Sequence, residues 1–86
     1  MRTLKHYGIG FVEVKISKLN KVEKYHAINP KDPEGQNFSY HWERVSGLGF
    51  LPKEEDYGFS AEECLNDAQE TINKAFGSEY KAIELI

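Results

Sequence analysis

The run from Phe38 to Phe76 constrains the fold of this chain more than any other stretch. It opens with a strand pattern. In Phe38-Ser39-Tyr40-His41-Trp42-Glu43-Arg44-Val45, Phe38, Tyr40 and Trp42 fall on one face and Ser39, His41 and Glu43 on the other. That two-residue period marks a half-buried strand. The run closes with a helix pattern. Ser60 is followed three residues on by Glu63, which is the capping-box spacing. Cys64, Leu65, Ala68, Ile72, Ala75 and Phe76 recur along one side at helical spacing. Phe59 is placed to staple onto Cys64, while Glu62, Asp67, Glu70 and Asn73 cover the other side. Lys74 suits the negative end of the helix, and Gly77 follows as its terminating glycine. Packing the helix on the sheet hides the aromatic face and the apolar stripe together. The expected fold is therefore a small α+β domain, with an antiparallel sheet in β-β-β-α-β order and one amphipathic helix on one face. Residues 1–86 are read as a single domain.

The other strands are read from the same alternation. Gly8 to Ser17 is a first strand, with Val12, Val14 and Ile16 on one face, and Gly8 and Gly10 mark a bulge or bend. Val22 to Ile28 is a second strand, ended by the Pro-containing loop Asn29 to Asn37. A hairpin centred on that loop would set Tyr25 opposite Trp42, Ala27 opposite Tyr40, Lys24 opposite Glu43 and His26 opposite His41. Ser46 to Gly58 is a long loop, and connections of this length are often functional. Tyr80 to Ile86 is a last strand, and the pattern leaves open which edge it joins.

Composition narrows the function classes. The apolar runs are too short to span a bilayer, and Met1 to His6 lacks the apolar core of a secretory signal. Cys64 is the only cysteine, so no internal disulfide can form, which suits a reducing, cytoplasmic setting. The net charge is −3, but it is unevenly spread. Residues 1–24 hold six Lys or Arg against two Glu, whereas the rest holds five against twelve carboxylates. A bipolar surface can steer a charged partner or pair head to tail with a second copy.

Catalytic and metal chemistry find little support in the motifs. His26, His41 and His6 could approach one another, but no zinc-ligand spacing is present, and no metal or other cofactor is expected. Cys64 lies on the apolar stripe and reads as core. Ser60 is accounted for by capping, and Gly8-Ile9-Gly10 lacks the third glycine of a nucleotide loop. No enzyme is expected.

Two binding readings remain. An aromatic strand, then Tyr57-Gly58-Phe59-Ser60-Ala61-Glu62-Glu63, then a helix resembles the layout of the arm-site-binding domain of tyrosine integrases. That resemblance implies a three-stranded sheet laid against DNA. It covers about half the chain and departs from the family where phosphates would sit, because Glu43, Glu54, Glu55 and Asp56 occupy the strand and loop. A nucleic-acid-binding module would instead use the basic run Lys15, Lys18, Lys21 and Lys24. The first reading is a non-enzymatic protein-binding module, an inhibitor or adaptor of the kind that phages and mobile elements encode, for example against host-defence enzymes. Its contact surface would be Phe50, Leu51, Glu54, Glu55, Asp56 and Tyr57, aromatic anchors ringed by acids. An edge strand could also join two copies into a homodimer. No membrane partner is expected.

Overall fold

The computed structural model describes residues 2–19 and 39–85. It contains β1 (Arg2–Ile9), β2 (Val12–Lys18), β3 (Tyr40–Gly47), β4 (Glu55–Gly58), α1 (Ala61–Phe76) and β5 (Ile83–Leu85). The strands form one antiparallel sheet in the order β4-β3-β2-β1-β5. The helix lies across one face, against β2, β3 and β4. The chain is thus an α+β fold with one helix on a small antiparallel sheet. No helix among the described residues is long and apolar enough to cross a membrane.

Three stretches fold differently from expectation. The first strand is a hairpin: the chain turns at Gly10 and Phe11, so that Tyr7 pairs with Val14 and Ile9 with Val12. An irregularity between Thr3 and Lys5 shifts the register, which breaks the alternation that would have marked β1 in the sequence. The long loop contains β4, which pairs with β3 from Tyr40–Gly58 to Glu43–Glu55. The last strand is only three residues long and joins β1. It starts late because helix side chains hold the preceding backbone. Tyr80 N–H donates to Asn73 Oδ1 (2.8 Å), Asn73 Nδ2 donates to Tyr80 O (2.9 Å), and Ala82 N–H donates to Gln69 Oε1 (2.8 Å).

The expected second strand, Val22 to Ile28, lies outside the described residues, as do Tyr25, His26 and Ala27 of its register. Their intended partners on β3 are occupied on both sides. Trp42 stands opposite Ile16 and Asp56, and Glu43 opposite Lys15 and Glu55.

The core gathers Ile9, Val12, Val14 and Ile16 from the β1–β2 hairpin, Trp42 and Leu51, and Cys64, Ala68 and Ile72 from the helix. The helix meets the sheet slightly rotated from the expected stripe, so Thr71 is buried and Ala75 is exposed. Its ends form as expected. Ser60 Oγ accepts from Glu63 N–H at 3.0 Å, and Gly77 closes the C-terminus in the left-handed region. The return bond of the box goes one residue further back, from Phe59 N–H to Glu63 Oε1 at 2.7 Å. Phe59, expected to close over Cys64, stays mostly exposed.

Candidate protein-binding surface

The connection from β3 to β4 is held in shape by one arginine. Arg44 donates to Gly49 O and Gly47 O, both at 2.8 Å, and lies 3.5 Å from Glu54 Oε2. Its own backbone N–H donates to Glu54 O at 2.9 Å. Two glycines let the loop fold this tightly. Gly47 has φ 120° beside the Phe11 carbonyl, where any Cβ would collide. Gly49 has φ 103°, and a Cβ there would sit 2.5 Å from the Phe76 ring. Both are positions that only glycine adopts without strain.

This backbone divides its apolar residues. Leu51, expected in the contact surface, turns inward and is 3 % exposed as part of the core. It leaves the candidate set, because a side chain with no solvent contact cannot meet a partner without unfolding the loop. Phe50 points outward at 86 % exposure and Leu48 at 80 %. The β1–β2 turn reaches the same end of the molecule, because Gly47 packs on the backbone of Phe11. Phe11 is 70 % exposed, and its ring meets Tyr80 edge-on at 6.1 Å between centroids. Phe76, at the end of the helix, backs the loop at Gly49. One end of the domain thus presents Phe11 from the β1–β2 turn and Leu48 and Phe50 from the β3–β4 connection, two backbone segments packed together at Gly47. Sequence reading missed Phe11 and Leu48. The available signal was Gly47-Leu48-Gly49-Phe50, where two glycines alternate with two large apolar residues.

The expected acidic residues separate by role. Glu54 and Glu55 are the outward ones, with side chains 64 % and 63 % exposed. Asp56 turns under the helix and contacts Lys53 Nζ at 2.6 Å. Lys53 also reaches Asp67 at 2.9 Å, whose same oxygen accepts from the Trp42 indole N–H at 2.9 Å. Partial burial disfavours the Lys53 ammonium, but its hydrogen bonds to Asp56 and Asp67 outweigh that cost. Its pKa is raised above the ordinary 10.5. Asp67, expected to face solvent, therefore ties the helix to the sheet. Tyr57 packs against His41, with ring centroids 4.9 Å apart.

The basic run is not brought together within the described residues. Lys15 faces the side of the sheet that is helix-free among the described residues, 3.6 Å from Glu43. Lys18 lies near the Tyr40 ring, 6.0 Å from its centroid. Their three-residue spacing on one strand sends the two side chains to opposite faces. Lys21 and Lys24 lie outside the described residues.

The helix-free face also juxtaposes Ser17, His41 and Glu55. His41 Nε2 lies 2.6 Å from Glu55 Oε1, and Ser17 is its cross-strand neighbour. Ser17 is fully buried, and among the described residues neither its Oγ nor His41 Nδ1 has a hydrogen-bond partner. A nucleophile needs both a base within reach and access to substrate. His6 is engaged with Glu13 at 2.7 Å. Among the described residues, no group of three or more His, Cys, Asp or Glu is arranged to hold a metal ion. No protein-family model, curated protein or solved structure matches this chain.

Proposed function

We propose that the chain is a non-enzymatic protein-binding module, of inhibitor or adaptor type, whose contact surface is the end carrying Phe11, Leu48 and Phe50. The observation that supports this reading is the exposure of three large apolar side chains on a backbone fixed by the Arg44 clamp and by two glycines. Keeping such residues in water without a partner is unfavourable by roughly 1.5–3 kcal/mol each relative to burial. A rigid presentation also lowers the entropy lost on binding. Glu54 stands beside this centre as a polar rim, and Glu55 follows it on β4. The buried Cys64 thiol suits a reducing, cytoplasmic location.

Affinity capture from the source cells, with wild type and a Leu48→Ser/Phe50→Ser double variant, tests the reading. Both side chains are solvent-exposed, so the variant should unfold at the wild-type midpoint. Specific partners recovered with wild type should be lost with the variant. Recovery of the same partners by both proteins would sink the proposal.

A further inference from the structure

The two edges of the sheet are built differently. At β4, the backbone N–H of Tyr57 is covered by the Asp56 carboxylate at 2.7 Å, and Glu54 and Glu55 stand exposed beside it. Charge and side-chain capping of this kind discourage another strand from pairing there. At β5 the pattern is reversed. Ile83 is 67 % exposed and Leu85 40 % exposed, and no described strand lies outside them. We propose that β5 pairs antiparallel with β5 of a second copy, continuing the sheet across a two-fold axis.

The strand is self-complementary in that register. An axis through Glu84 sets Ile83 opposite Leu85 of the second copy, twice over. Ile83 and Leu85 pair with Gly8 and His6 of β1, whereas Glu84 pairs with Tyr7, which packs against the core. Both apolar pairs therefore form on the helix-free face. Glu84 meets its own counterpart on the other face, a like-charge contact that opposes pairing. Each copy brings a counter-charge, because Lys5 lies 3.3 Å from Glu84. Two-fold pairing uses up β5 in both copies and leaves the blunted β4 edges outermost among the described strands, so assembly stops at the dimer. A three-residue strand pair buries far less than the roughly 1,600 Å² of a standard interface, which sets dissociation in the range of roughly 10–1,000 µM.

Sedimentation equilibrium of the full chain, from about 10 µM to about 1 mM, tests this range of affinities. The weight-average mass should rise towards twice the monomer. Added salt and Glu84→Gln should each strengthen the dimer, because each relieves the contact between the two Glu84 carboxylates. Ile83→Lys should weaken it at least tenfold, and Phe50→Ser should leave it unchanged. The last variant separates this interface from the proposed partner surface. Three results would overturn the proposal: a monomer throughout, growth beyond a dimer, or a dimer that survives Ile83→Lys but is lost in Phe50→Ser. The salt and Glu84→Gln responses need no destabilising substitution, so the proposal stays testable even if Ile83→Lys folds poorly.

Discussion

The two faces of the sheet carry the same kinds of charged residue and use them differently. Under the helix, Trp42, Lys53, Asp56 and Asp67 form one connected set that crosses from sheet to loop to helix. On the helix-free face, His6–Glu13, Lys15–Glu43 and His41–Glu55 are separate pairs between neighbouring strands. The first set includes a fully buried indole, whose N–H has no water to replace Asp67 as its acceptor. In the second, each pair has at least one side chain a third or more exposed, so solvent competes for it. Geometry also differs. Glu43 and Glu55 are direct cross-strand neighbours, an unfavourable like-charge pair. Glu43 turns to the Lys15 ammonium on β2, and Glu55 lies 2.6 Å from His41 Nε2 on β3. The lower set fixes where the helix sits, whereas the upper set mainly offsets charges that the strand register forces together.

Removing Trp42 should break this contrast most severely. Trp42→Ala leaves a large cavity and should cost about 3–5 kcal/mol in denaturant unfolding. Trp42→Phe keeps most of the ring and removes the N–H donor to Asp67, so it should cost clearly less. Equal losses for the two variants would mean that the hydrogen bond, not the packing, dominates. Asp67→Ala comes next. It leaves the buried indole N–H without its acceptor and should cost about 1–3 kcal/mol.

Lys53 gives the same set a pH signature. Its pKa is raised in the folded chain, above the ordinary 10.5. A raised cationic group stabilises fully below its unfolded pKa and loses that contribution as pH climbs through the folded value. The stability difference between wild type and Lys53→Met should therefore stay level from neutral pH to about 10 and shrink above it. Because Lys53 is partly exposed, the loss should be modest. A difference that already shrinks between pH 6 and 9 would show that some other group sets it.

Burial was legible in the sequence where one period ran unbroken. Trp42 and the capped helix follow from alternation and from the Ser60–Glu63 spacing, because a side chain's direction on a regular element depends only on its position. β1 leaves no periodic signal in the sequence because the register shift between Thr3 and Lys5 breaks its period. Asp67 and Asn73 fall on the expected solvent side of the helix, because the helix pattern says nothing about what loops fold over it. Asp67 meets Lys53 of the β3–β4 connection, and Asn73 meets the backbone of Tyr80. At the candidate surface, Phe50 was visible as an apolar residue in an acidic loop. Leu51 beside it was not separable, because the Arg44 clamp and the two glycines decide which of the two points inward.

The smallest effect belongs to the helix-free face, and it sharpens what the ion pairs there do. Glu43→Gln removes the partner of Lys15, 3.6 Å away, and also the like charge opposite Glu55. The lost attraction and the lost repulsion nearly cancel at an exposed site, so stability should change by no more than about 0.5 kcal/mol. Lys15→Gln removes only the attractive half and leaves Glu43 opposite Glu55 without its cation. It should therefore destabilise more than Glu43→Gln, and the gap should close as salt is raised. If the two variants were equally stable at low salt, the pairs would not be compensating the register. The like charges would then have to be tolerated by solvent alone.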